Sequence, residues 1–224
     1  MTVKDWSDAE NILQDNPHVE FRWFPRIRPR GLYPLGEVAP RTEFAAYLRS
    51  ARLRYYALQD HLATHLPPDE TIETEGHLLD RLEQNEIVAL IATGEGGFGK
   101  TRLTYELGAL AEGRDWFVFE LRGSVDLDDV FRLQRSVRQC DPMLLVIDYA
   151  ETFPNFRQLL ELAIEINRDR GWRLHVVASC RNSYWPSLRA IPLVGQVNLS
   201  PSPPNIAAWF RTYRRETVRH ILDR

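Results

Sequence analysis

Residues 86–101 read Glu-Ile-Val-Ala-Leu-Ile-Ala-Thr-Gly-Glu-Gly-Gly-Phe-Gly-Lys-Thr. The first eight, Glu86–Thr93, are mostly aliphatic, as expected of a strand buried on both faces. The last eight satisfy G-x-x-x-x-G-K-[ST], and a helix is expected over Gly99–Glu112. Strand, glycine loop and helix in that order form a phosphate cradle. The glycines let the backbone curl so that its N–H groups converge on phosphate oxygens, and the helix N-terminus adds its dipole. The nucleotide loop therefore comprises Gly94, Gly96, Gly97, Phe98, Gly99, Lys100 and Thr101. Lys100 would reach the β- and γ-phosphates, and the Thr101 hydroxyl would ligate Mg²⁺. A glycine turn that binds nothing would explain neither the Lys-Thr pair nor its setting between strand and helix.

Outward from this loop, strands and helices alternate. Further strands are expected at Trp116–Leu121, Met143–Asp148, Trp172–Ser179 and, briefly, Gln196–Leu199. Helices are expected near Leu127–Gln139 and along Phe156, Leu159, Leu160, Ala163 and Ile166, ending before Gly171. Alternation with near-continuous apolar strands means a five-stranded parallel sheet covered by helices on both faces, an α/β three-layer sandwich spanning 85–200. Ligands of such sheets sit at the carboxyl ends of the strands. Met143–Asp148 ends an apolar strand in an acid, so Asp148 is expected to supply the second metal oxygen beside Thr101, with an aspartate that caps a turn as the competing reading. Hydrolysis also needs a group that positions water. The residue after Asp148 is Tyr149, so Glu151, three residues past Asp148, is the candidate base; a capping or solvated glutamate is the competing reading. Arg181 ends the fourth strand segment, where a cation would sense the γ-phosphate, with an ordinary surface arginine as the alternative.

The flanks are simpler. Residues 1–40 begin with a short polar helix candidate, Asp5–Asp15, and continue as a proline-rich extended arm. Residues 41–84 are helical: a helix from Thr42 ends before Pro67-Pro68, and a second covers Glu75–Leu82. The final stretch, Asn205–Arg224, is expected to form an amphipathic helix. The chain has 224 residues, 44% hydrophobic and 26% charged, with a formal charge of −3, which excludes wholesale disorder. The longest apolar run, Ile87–Ala92, is far below the ~20 residues of a membrane span. With no signal core and only two cysteines, the expected compartment is the cytoplasm.

Several weaker constellations favour structural readings. Phe21–Arg30 interleaves aromatics with cations, yet the acidic net charge disfavours nucleic acid, and a packed arm explains it better. Arg211, Arg215 and Arg219 read as a solvated helical stripe. His61 and His65 lack a third metal ligand. Cys140 and Cys180 fall at opposite sheet edges, which excludes a disulfide.

Three segments carry a resemblance. Ile91–Thr101, Leu145–Glu151 and Val176–Arg181 with Trp185 resemble STAND ATPases, multidomain signal-transduction NTPases with bacterial relatives in antiphage defence. The likeness covers about residues 85–200. It implies the additional-strand class of P-loop fold, with the fourth strand between the first and third, and Arg181 as a sensor close to Lys100 and Asp148. It also implies Mg·ATP, slow or resetting hydrolysis, and partners that are further copies of the chain or other protein domains. STAND proteins continue into a lid and a winged helix, so the chain reads as truncated after the nucleotide-binding core, with 201–224 the start of the lid. Leu35-Gly36-Glu37 is a poor echo of the family's Gly-Arg pair. ATP is preferred to GTP because no N-K-x-D follows the fourth strand. The alternatives are a P-loop kinase acting on a small acceptor, and a non-hydrolysing nucleotide-dependent interaction module.

Overall fold

A computed structural model of the chain describes residues 31–35, 74–123, 125–128, 130, 142–168 and 173–199. In chain order the elements are β1 (Leu32–Pro34), α1 (Glu75–Glu83), β2 (Ala89–Thr93), α2 (Lys100–Glu112), β3 (Phe117–Leu121), β4 (Met143–Ile147), α3 (Phe156–Arg168), β5 (Leu174–Ser179) and β6 (Val194–Asn198). Short 3₁₀ turns cover Ala150–Thr152 and Trp185–Ser187.

The strands lie in one sheet, in the order β1-β3-β4-β5-β2-β6. Strands β2 to β6 run parallel, and β5 sits between β2 and β4. This is the expected additional-strand order. The five expected strands are present, and a sixth corrects the count. Leu32–Pro34, inside the expected arm, pairs antiparallel with β3 through Leu32↔Leu121, Tyr33↔Glu120 and Pro34↔Phe119. A three-residue strand ending in proline has no apolar alternation to betray it, and proline is tolerated because the position is an edge. A polar cluster ties this edge to its neighbours. Arg122 donates to both Glu120 oxygens at 2.7 and 2.6 Å and lies 5.3 Å from the Tyr33 ring centroid, while Tyr105 on α2 donates to the same carboxylate.

Strand β2 starts later than its aliphatic run suggests. The Glu86 and Ile87 amides bond back to the Arg81 carbonyl at 3.0 and 3.3 Å, closing the end of α1 before the strand begins. That helix is entered through Thr74, whose hydroxyl accepts from the His77 amide at 3.2 Å.

Period two along the strands divides the core. Met143, Leu145, Ile147, Val176, Ala178, Ala89 and Ile91 pack with Phe156, Leu159, Leu160 and Ala163 of α3. Leu144, Val146, Val177, Leu90 and Ala92 pack on the other face with Leu103 and Leu107 of α2 and Leu78, Leu79 and Leu82 of α1. Every residue of β4 is buried, as a central strand covered on both sides requires. Each buried Val, Leu, Ile, Met or Phe among them contributes about 1.5–3 kcal/mol by leaving water. Helix α2 comes close to the sheet at Gly108, where a Cβ would stand 3.1 Å from Val146 Cγ2 and 2.7 Å from Leu35 Cδ2. The chain thus has the three-layer α/β fold of P-loop NTPases.

The arm and helices expected within 1–30 and 36–73, most of the helix at Leu127–Gln139, and the segment 201–224 lie outside the described residues. So do His61, His65, Cys140, Arg211, Arg215 and Arg219. Among the described residues, no helix is long and apolar enough to cross a membrane.

Candidate nucleotide and metal site

The loop between β2 and α2 is shaped by three glycines with positive φ: Gly94 at 145°, Gly97 at 84° and Gly99 at 84°. A Cβ on Gly97 or Gly99 would meet nothing within 4 Å, so glycine is needed there for backbone conformation rather than room. Gly96 has neither positive φ nor a near neighbour and carries no such demand. The Phe98 side chain is buried with Leu103 and Val197, which leaves its backbone alone to serve the loop. Lys100 arches over that loop, its Nζ donating to the Glu95 carbonyl at 2.6 Å. Burial pushes the Lys100 ammonium below lysine's ordinary range, while Glu151 and Asp148 pull it back up.

Three elements then deliver oxygens to one point. Thr101 stands in the first turn of α2, Asp148 directly follows β4, and Ser179 ends β5. Thr101 Oγ1 donates to Asp148 Oδ1 at 2.7 Å, and Ser179 Oγ donates to the same oxygen at 2.5 Å. Thr101 spends its proton on the carboxylate and keeps lone pairs for a cation. A hydroxyl and a carboxylate are hard donors, and Mg²⁺ is commonly held by one or two such groups, completed by phosphate oxygens and waters. Among the described residues no group of three or more His, Cys, Asp or Glu could form a closed metal cage. The donor set therefore fits Mg²⁺ with a nucleotide.

The turn after Asp148 explains how Glu151 returns to the site. Tyr149 is left-handed, with φ of 55°. Its amide donates to Ser179 Oγ at 2.9 Å, and its carbonyl accepts from Thr152 N and Thr152 Oγ1, both at 2.8 Å. These bonds hold the strained residue and curl Ala150–Thr152 back. Both Glu151 oxygens are buried and accept no hydrogen bond, although Arg181 Nε forms an ion pair with Oε1 at 3.4 Å. The Arg181 side chain is 74% exposed. An open cleft of about 680 Å³ is lined by Gly96, Lys100, Thr101, Arg102, Tyr149 and Arg181, among others. Neighbouring Cys180 is buried, and burial foremost, then Glu151, push its thiol up to about 12, which disfavours the thiolate.

The expected site residues are thus brought to one sheet edge, with the side chain of Phe98 turned away. Two residues had been given no role. Arg102 lines the cleft, with its Nε donating to Glu106 Oε1 at 2.6 Å. Ser179 is the polar end of the apolar run Val176–Ala178, two residues before Arg181. That polarity at a carboxyl strand end was the available signal.

No protein-family profile matches the chain, and neither does any curated protein. Solved structures are similar at low identity. The chain matches a structure of the Escherichia coli MS115-1 HORMA:CdnC:Trip13 complex at 16% identity, covering 68% of each chain, with a TM-score of 0.40. It matches Caenorhabditis elegans PCH-2 at 15% identity over 57% of this chain and 42% of that one, TM-score 0.37. A Thermotoga maritima DNA polymerase III gamma subunit-related protein matches at 13% identity over 58% and 47%, TM-score 0.39. The chain spans less than half the length of the last two.

Proposed function

We propose that the chain binds Mg·ATP in the Gly94–Thr101 loop and works as a nucleotide-dependent switch of the STAND type, with slow hydrolysis. The observation that carries this is the 2.7 Å bond between Thr101 and Asp148, two oxygens from different elements converging beside the phosphate loop. Lys100 and the loop amides hold the phosphates. Thr101 and Asp148 hold Mg²⁺, which supplies charge neutralisation on the β- and γ-oxygens when bound. Glu151 takes a proton from water as its oxygen bonds to the γ-phosphorus and the bond to the β–γ bridging oxygen breaks. Arg181 leaves Glu151 for the γ-phosphate, which frees the carboxylate for that water.

The test is binding of Mg·ATP to the purified chain with phosphate release followed in the same samples. Lys100→Ala should weaken ATP binding at least ~100-fold, since it removes a charge-assisted contact and leaves phosphate charge uncompensated. Asp148→Ala should remove the Mg²⁺ dependence of binding and all hydrolysis. Unchanged Mg·ATP binding in both variants sinks the proposal. Two features favour a second reading. The pairing of Glu151 with Arg181 and the presence of Tyr149 after Asp148 also suit a non-hydrolysing interaction module, which would show tight ATP binding and no phosphate release. As in STAND proteins, the output would be association with further copies of the chain or with other domains. Light scattering with and without Mg·ATP tests that step, and an unchanged mass would refute self-association.

A further inference from the structure

Resting on the Mg·ATP reading above, we propose that Ser179 is a positioning residue of the metal site, fixing which oxygen of Asp148 is offered to the cation. Its place in the sheet makes this possible. Strand β5 is hydrogen-bonded to both β2 and β4, with Ser179 opposite Ala92 of β2 and one residue beyond the Ile147↔Ala178 pair. Ser179 therefore stands between the root of the phosphate loop and Asp148. It is fully buried, so no bulk water competes for its hydroxyl.

The direction of each bond follows from chemistry. A serine hydroxyl has one proton and two acceptor lone pairs. The Tyr149 amide can only donate, so Ser179 Oγ accepts from it at 2.9 Å. An ionised Asp148 can only accept, so the single Ser179 proton goes to Oδ1 at 2.5 Å. The Tyr149 bond thus prevents the hydroxyl from turning away. Thr101 donates to the same oxygen at 2.7 Å. Two donors converging on Oδ1 restrain rotation of the carboxylate and leave Oδ2 to receive the cation or its water. With alanine at 179, Asp148 would lose one of these restraints, and the Tyr149 amide would lose its acceptor. Groups that orient a metal ligand in this way typically cost about 10–100-fold in metal affinity when removed.

A serine that merely plugs the space behind Asp148 would alter stability without altering the cation requirement, and that difference is measurable. Fluorescent ATP is titrated into the full chain at a series of Mg²⁺ concentrations. In Ser179→Ala the half-saturating Mg²⁺ concentration should rise about 10–100-fold, with Mg²⁺-free ATP affinity unchanged. In the Asp148→Ala background the same substitution should add nothing, because the two residues act through one carboxylate. Ser179→Cys nearly preserves shape while weakening the donor, and it carries the same test if the alanine variant does not fold. An unchanged Mg²⁺ requirement, or an effect that persists fully without Asp148, overturns the assignment while the nucleotide site stands. Failure of the wild-type chain to bind Mg·ATP overturns the site, and this role with it.

Discussion

His175 and Ser179 lie four residues apart on β5, on the same side of the strand and both fully buried. At ~3.3 Å per residue they are only about 13 Å apart, yet their surroundings are opposites. Ser179 uses its proton and a lone pair on Asp148 and Tyr149, at the carboxyl end of the sheet. His175 sits toward the amino end with its ring 5.2 Å from that of Trp116, and neither ring nitrogen makes a hydrogen bond. Burial, and then the charge of Arg173, push its imidazole down to about 4; the Val88 backbone acts weakly in the other sense without closing a hydrogen bond. A buried polar side chain is therefore no sign of chemistry by itself. What matters is whether the fold surrounds it with partners, and in a parallel α/β sheet that happens where the strands end.

The largest expected effect is at the carboxyl end. Glu151→Gln should lower phosphate release about 10²–10⁴-fold, as loss of a general base does, while ATP binding and thermal stability stay near wild type. A melting temperature that falls with the rate would make Glu151 structural and erase the contrast with His175.

The next effect lies at the amino end and concerns stability alone. The folded pKa of His175 lies below the ordinary 6.5, so the unfolded chain takes up the proton first as pH falls. Its contribution to stability should be intact above pH 6.5, decline as pH drops toward 4, and level off below. The loss amounts to ~3 kcal/mol. Urea denaturation of wild type and His175→Leu at pH 7 and pH 4 checks this: the variant should lack that share of the pH dependence. Nucleotide affinity at pH 7 should change by no more than about twofold, because the sites are distant. An identical pH dependence in both proteins would mean that His175 has a partner.

Smaller effects separate the glycines of the loop. Gly97→Ala forces a left-handed backbone on an L-residue and should cost about 1–2 kcal/mol, with weaker ATP binding. Gly96→Ala should stay within about 0.5 kcal/mol, as ordinary surface changes do. Equal costs would show that the loop's shape is set by something other than positive φ. At the surface, Arg114→Ala breaks contacts to Asp80 and Glu83 at 2.6 and 3.1 Å. It should cost no more than ~1 kcal/mol and leave the site untouched, since Arg114 precedes β3, at the amino end of the strand and not at the carboxyl ends.

Much of this was legible from side-chain type alone. Met143–Ile147 had to be a doubly covered strand because nothing in it could face water, and Lys100-Thr101 after a glycine loop announced phosphate. What the motif did not show is that the Phe98 side chain packs in the core, leaving its backbone for the loop. Strand β1 was hidden because its pairing energy comes from β3, some 85 residues further along the chain, and not from its own three residues.

The sequence by itself determined the parallel sheet, the phosphate loop and the acids and cations gathered near it, because local periodicity and backbone freedom are written residue by residue. The resemblance already implied that β5 lies between β2 and β4; only the tertiary structure decided that Ser179 meets Asp148 while His175 meets Trp116. Both are polar residues in one largely apolar strand, and only the position of Ser179 at its carboxyl end hints at the difference. Their difference arises from which distant segments pack against each end, and hydrogen bonds at 2.5 or 2.9 Å depend on that juxtaposition alone.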